Sequence, residues 1–298
     1  MPKVCIVTGA SRGMGRGISK VLAQEEGATV YATARSEDPL KELAASVDSA
    51  TGTIHPITLD QGDDNAVSDF VARVASKEDG IDLLVNSAYG GLVAIAPHFG
   101  KPFWERPISV FDASLNIGLR SAYVMSAAVA PHMVSRKSGL IVQVSSLGGY
   151  TYLFDVGYGV GKAGLDRLSA DMAAELEPHG VHSITLYPGG AVTEIAAFPG
   201  GETTTFAGRA VAALLNRTSI EELDRINGKV VQTMELALKH EFTDETGSLP
   251  DGPFSSQEAA EANRDLLKNT PVQYNLDGAL PIAGETNSPE AAAFFPGV

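Results

Sequence analysis

The chain of 298 residues carries 36 acidic against 22 basic side chains, a formal net charge of −14. That balance excludes a nucleic-acid backbone or an anionic membrane as the main partner, since either would be repelled. Hydrophobic residues at 44% and charged residues at 19% exclude extensive disorder and suit a soluble globular protein.

Short apolar runs alternate with helical patterns along most of the chain. Val4–Val7 reads as a buried strand and Ile18–Glu26 as a helix. Thr29–Thr33 is the second strand, with a helix around Pro39–Val47, and Ile54–Leu59 the third, with a helix around Asn65–Lys77. Ile81–Val85 is the fourth strand, Val110–Ser135 a long helix and Leu140–Val144 the fifth strand. Tyr158–Leu176 is a helix and Val181–Tyr187 the sixth strand. The strand runs are mostly apolar rather than alternating, as in a parallel sheet covered on both faces. Their alternation with helices implies right-handed βαβ units and a doubly wound sheet. Beyond Thr193, Thr203–Asn216 reads as a helix and Lys229–Gln232 as a last strand after the Asn227-Gly228 turn. The expectation is one domain over residues 1–250, with an irregular extension over 251–298 that holds one helix near Gln257–Leu267. Cys5 is the one cysteine, inside the first apolar run, which excludes an internal disulfide and suits a reducing compartment. No leader pattern and no apolar stretch of membrane-spanning length is visible, so a cytoplasmic protein without a membrane span is expected.

The first strand runs into Thr8-Gly9-Ala10-Ser11-Arg12-Gly13-Met14-Gly15 with a helix behind it. Glycines there let the backbone turn tightly and approach a pyrophosphate seated on the helix N-terminus. Further on, Tyr158 and Lys162 are spaced i, i+4, so on a helix their side chains share a face. A free tyrosine has a pKa of about 10. A neighbouring ammonium favours the phenolate and lowers that value toward the range useful for acid–base chemistry.

With the G-x-x-x-G-x-G spacing, the order of motifs resembles the short-chain dehydrogenase/reductase (SDR) family: Asn86-Ser87-Ala88-Tyr89-Gly90 after the fourth strand, Ser145-Ser146 after the fifth, Tyr158-x-x-x-Lys162, and Pro188-Gly189-Gly190-Ala191-Val192-Thr193 after the sixth. The likeness spans about Lys3 to Thr193 well and Phe206 to Gly247 loosely. The stretches "VNSAYGG", "KPFWERP", "NIGLRSAY", "GLIVQVSS" and "YGVGKAG" look in particular like the subfamily called dehydrogenase/reductase SDR family member one. The resemblance implies a single Rossmann-type sheet of about seven strands and a carbonyl reductase, reversible as an alcohol dehydrogenase. Its substrates would be small ketones or aldehydes, steroid-like or xenobiotic, and its assembly a homo-oligomer.

The resemblance also implies roles. Tyr158 gives its proton to the substrate oxygen, Lys162 holds the nicotinamide ribose and tunes Tyr158, and a serine hydroxyl bonds the same oxygen. Ser146 aligns best for that last task, with Ser145 as the alternative. Gly9, Ser11, Arg12, Gly13, Met14 and Gly15 would cradle the cofactor phosphates. Asp60 and Gln61 would lie by the adenine, with Asn86 and Ala88 along the cofactor. Pro188, Gly189 and Ala191 would form the loop over the nicotinamide, and Thr193 would bind its carboxamide. NAD-preferring members carry an acid at the end of strand two, where this chain has Ala34 and then Arg35. Arg35 with Arg12 favours NADP(H), because forked guanidinium donors suit a 2′-phosphate; NAD(H) is the alternative, and a nucleotide-binding scaffold without turnover is the reading from another class. The asparagine that most members place in the long fourth helix falls here on Gly118. Either a water fills that space or Asn116 reaches in through a distorted helix. Residues 194–216 stand where relatives carry a substrate lid. Phe99–Trp104, with Tyr150, Tyr152 and Phe154, either lines an apolar pocket or packs loops. His179 and His182 lack further ligands and read as surface or capping residues, with no metal site.

Overall fold

The computed structural model of the protein describes residues 2–269. The chain runs β1 (Val4–Thr8), α1 (Gly13–Gln24), β2 (Thr29–Ala34), α2 (Glu37–Ala45), β3 (Thr53–Thr58), α3 (Asp64–Lys77), β4 (Leu83–Asn86) and α4 (Gly91–Ile95). It continues through α5 (Ile108–Ser114), a π-helical stretch (Leu115–Arg120), α6 (Ser121–Arg136), β5 (Gly139–Val144), α7 (Val156–Leu176), β6 (Val181–Tyr187) and α8 (Thr204–Asn216). Last come α9 (Ile220–Ile226), β7 (Val230–Gln232), α10 (Thr233–His240) and α11 (Gln257–Asn269). The strands form one sheet in the order β3-β2-β1-β4-β5-β6-β7, each pair parallel.

Side chains alternate across this sheet. Val7, Val30, Val85, Val142 and Ile184 face one layer with Phe206, Val211 and Leu214 of α8. Ile6, Leu84 and Ile141 face the other, with Phe70 of α3 and Met125 and Val129 of α6. Because both faces of the central strands are covered, they have no polar side to show, which is why their sequence runs are mostly apolar; the edge strand β3 is partly exposed. The strand order reverses between β1 and β4, and in such sheets the crevice beyond the strand ends at that point receives ligands.

Departures from the sequence expectation sit at element ends. Helix α1 begins at Gly13 rather than near Ile18, since the glycines of the loop carry no apolar periodicity. The single long helix expected over Val110–Ser135 is broken by the π-helical stretch into α5 and α6. Helix α8, expected as part of a lid, is largely buried in the core beside α1. Helix α11 is tied to the sheet edge: Gln232 Nε2 donates to Ala260 O at 2.8 Å, and Arg264 Nη2 donates to Val230 O at 3.1 Å. The rest of the expected extension, 270–298, lies outside the described residues.

Two buried carboxylates brace the loops that carry the functional residues. Asp155 caps α7, accepting from Tyr158 N. Its other oxygen meets Arg106 Nη1 at 2.9 Å, both side chains being only 5% exposed. Arg106 Nε in turn donates to Lys101 O at 2.8 Å, so the "KPFWERP" insert is bolted to the first turn of α7. Glu202 is fully buried. Its Oε2 accepts from Gly189 N at 3.0 Å and from Thr233 Oγ1 at 2.6 Å, and burial pushes its carboxyl from 4.5 up to about 8.

Removing one partner of a buried ion pair leaves an uncompensated charge. Arg106→Ala is therefore expected to lower the unfolding free energy by about 3–5 kcal/mol in urea titrations; an unchanged midpoint would show that Asp155 is solvated. For Glu202 the folded-state pKa lies above the unfolded one, so the acid form is the one the fold prefers. Its stabilisation is complete below pH 4.5 and is lost as pH rises through about 8. Glu202→Gln keeps a carbonyl acceptor without the titration. Its melting temperature should gain on that of the wild type as pH goes from 5 to 8, and parallel curves would refute this.

Candidate active site

The site begins where the backbones of two loops touch. Thr8 Oγ1, at the end of β1, accepts from Ser87 N at 3.0 Å and Ala88 N at 3.1 Å. Gly9 has φ +68°, and a Cβ on it would lie 2.7 Å from Ala88 Cα. Only glycine allows this turn and this approach together. Gly13, also left-handed at φ +55°, starts α1, whose N-terminus has neither a side-chain cap nor an acidic residue in its first turn. Gly13 N instead donates to Glu194 Oε2 at 2.8 Å. A carboxylate drawn from a distant loop marks this helix end as a ready anion acceptor. Ser11 O accepts from Arg16 Nη1 at 3.4 Å, Gly15 O accepts from Ser19 Oγ at 2.7 Å, and Met14 packs on the core.

Arg12 and Arg35 are exposed, and among the described residues neither guanidinium has an ion-pair partner. They follow adjacent strands, β1 and β2, and Ala10 N donates to Thr33 O at 3.0 Å between those loops. Asp60 is exposed, with Oδ1 accepting from Gly62 N at 2.9 Å. Gln61 is buried, with Nε2 donating to Thr33 Oγ1 at 3.1 Å and Oε1 without a partner. The Asn86 amide points into α6, donating to Ser126 Oγ at 3.0 Å. After β6, Pro188 and Gly189 lead into Ala191, which bridges Glu202. Thr193 Oγ1 donates to Ala196 O at 2.9 Å and accepts from Ala196 N at 3.0 Å.

Across the crevice, Ser146 Oγ and Tyr158 Oη are hydrogen-bonded at 2.8 Å. Ser145, the alternative, turns away and donates to Lys162 O at 3.3 Å. Lys162 Nζ donates to Val144 O at 3.0 Å. The ammonium was expected to lower the phenol's pKa, but burial is the larger influence. Burial pushes Tyr158 from 10.0 up to about 12, against the Ser146 hydrogen bond that pulls it down. The same burial lowers Lys162 from 10.5 to about 8, against Asp166 one turn along α7. Desolvation thus outweighs mutual tuning. Gly148, two residues after Ser146, makes room for the phenol: a Cβ there would lie 2.3 Å from Tyr158 Cε1. That glycine, in "SSLGG", was a signal in plain sight.

Asn116 does not reach in. It is exposed on the π-helical stretch, and the space beside Gly118 is filled by Tyr89, whose Cδ2 lies 2.8 Å from where a Cβ would be. Around Tyr158, the residues Phe154, Ile95 and Val110 form with it an apolar cluster joined by Phe99, Ile195 and Phe198. The aromatic insert is divided. Phe99 belongs to this cluster, while Phe103 and Trp104 are 63% and 72% exposed. Tyr150 lies against α11, donating to Leu267 O at 3.4 Å. His182 pairs with Asp224 at 2.8 Å, and among the described residues no group of three His, Cys, Asp or Glu is gathered as a metal site. No described helix is long and apolar enough to cross a membrane.

Comparison with known proteins identifies the family. The profile of the family described as short chain dehydrogenase matches residues 3–199. The human protein named Dehydrogenase/reductase SDR family member 1 is 39% identical over 266 residues, 82% of this chain and 84% of its own length. The 7alpha-hydroxysteroid dehydrogenase of Clostridium sardiniense is 30% identical over 63% of this chain and 70% of its own. A metagenomic short-chain oxidoreductase, solved in complex with NADP, superposes with a TM-score of 0.64 at 28% identity, covering 77% of this chain and 96% of that one. The chain belongs to the short-chain dehydrogenase family of oxidoreductases.

Proposed function

We propose that the protein is an NADPH-dependent reductase of ketones or aldehydes, with steroid-like or bulky xenobiotic carbonyls as its substrate class. The observation that carries this reading is the hydrogen bond of 2.8 Å between Ser146 Oγ and Tyr158 Oη. It places two hydroxyls where both can bond one carbonyl oxygen. A reduced nicotinamide, when bound, would supply the hydride for the carbonyl carbon. As the C=O double bond becomes C–O single, the Tyr158 phenol delivers its proton to the oxygen, giving an alcohol. A phenol held at about 12 is fully protonated at neutral pH, the state a proton donor needs. Ser146 donates to the same oxygen as charge gathers on it.

The residues present fit the cofactor. The uncapped start of α1 already holds a carboxylate where a pyrophosphate would sit. Arg12 and Arg35, with no acidic partner among the described residues, suit a 2′-phosphate. Lys162 would face the nicotinamide ribose, and Thr193 the carboxamide. The apolar cluster of Ile95, Phe99, Phe154 and Ile195 beside Tyr158 supports an apolar substrate.

The test is a fluorescence titration with NADPH and NADH, then a panel of carbonyls with Tyr158→Phe as control. Tighter NADPH binding is expected, with ketone turnover falling about 10²–10⁴-fold in the variant. Preference for NADH would move the cofactor to NAD(H), and binding of neither would remove the enzyme reading. Glu194 gives a second test. Its charge sits at the expected pyrophosphate position, so Glu194→Ala should tighten NADPH binding about two- to five-fold, the worth of one charge at a helix end. An unchanged dissociation constant would place the phosphates elsewhere.

A further inference from the structure

Tyr89 stands in the turn after β4, between two glycines that have no side chain to obstruct it. A Cβ on Gly91 would lie 2.1 Å from Tyr89 Oη, and one on Gly118 would lie 2.8 Å and 3.0 Å from its Cδ2 and Cε2. These two glycines are the mould of the ring. Its rotation is set at the far end by a hydrogen bond of 3.0 Å between Tyr89 Oη and Ser114 Oγ, at the end of α5. Held in this way, the ring stands edge-on to Tyr158, with centroids 5.6 Å apart and planes at 89°. Its centroid is 4.8 Å from Lys162 Nζ.

That last contact answers a problem for Lys162. An ammonium has three donors, and among the described residues this one has a single hydrogen bond, to Val144 O. Burial drives such a group toward the neutral amine. The charged and titratable groups around it are few. Asp166 lies one turn on along α7, and its carboxylate already accepts from Tyr187 on β6. Tyr158 lies on the same helix, its ring centroid 5.8 Å from Nζ. The face of Tyr89 is the nearer ring, and the negative face of an aromatic quadrupole favours a cation within about 6 Å.

We infer that Tyr89 is a positioning residue for the reaction: seated against Gly118, where the family pattern puts an asparagine, its ring holds the Lys162 side chain in its charged form beside Tyr158. The consequence for turnover rests on the reading of Tyr158 and Lys162 as the working pair. The charge state of Lys162 does not, and it is measured in the free protein.

The experiment follows the Lys162 Cε resonance against pH in protein carrying 13C-labelled lysine, assigned by its loss in Lys162→Met. Tyr89→Phe keeps the ring and should leave the midpoint in place. Tyr89→Leu should lower it by about 0.4–1.5 pH units, the range of a cation–π contact. Gly118→Ala, which drives a methyl into the ring, should lower it in the Tyr89 protein and leave it unmoved in Tyr89→Leu. The alkaline limb of the reductase pH profile should shift with the midpoint. A midpoint in Tyr89→Leu equal to or above that of the wild type would overturn the inference. So would an effect of Gly118→Ala that is the same with and without the tyrosine; should Tyr89→Leu fail to fold, a midpoint unmoved by Gly118→Ala alone would do so. A shifted midpoint in a protein that reduces no carbonyl would sink the proposed function and leave this inference standing; turnover without a shift would do the opposite.

Discussion

The burial of one ammonium group organises the site. Lys162 cannot be solvated where it stands, so the fold surrounds it with what substitutes for water: the Val144 carbonyl at 3.0 Å from β5, the Tyr89 ring at 4.8 Å from the turn after β4, and Asp166 on its own helix. Each comes from a different element, and each can arrive only because the parallel sheet delivers β4, β5 and α7 to one end of the molecule. The glycines at positions 118 and 91 follow from the same need, since the ring fits only where they have no side chain.

The same desolvation sets the protonation of Tyr158 and Lys162. Tyr158 is held as a phenol because its charged form would have no water, and the lysine beside it does not reverse that. Under the proposed function, reduction would proceed from the resting state without a prior proton uptake by the tyrosine. Alcohol oxidation would first have to remove that proton, at a cost that falls as pH rises.

The sheet and its order of motifs were legible in the sequence because both are local. Continuous apolar runs mark the covered strands, and Tyr158 and Lys162 need only a helix to share a face. Ser146 over Ser145 was legible through its place in "SSLGG", and the structure sets its hydroxyl, not its neighbour's, against the phenol. What escaped were relations between distant segments. Nothing in the spacing ties Arg106 to Asp155, Glu202 to Gly189, or Tyr89 to Gly118; each pair meets only once the strands are assembled. The short helices α4, α9 and α10 escaped because five to eight residues show too little periodicity. The sign of the tyrosine's pKa escaped because burial is not a property of sequence neighbours.

The clamp of α11 on β7 has a consequence for how this molecule meets others. A seven-stranded open sheet has two unpaired edges, each a template on which a foreign strand could grow. At one edge Arg264 occupies the Val230 carbonyl and Gln232 is tied to Ala260. At the other, Pro56 removes an N–H from the outer strand β3. Among the described residues both margins of the sheet are thus blunted against the addition of a foreign strand, without a residue being spent on that task alone.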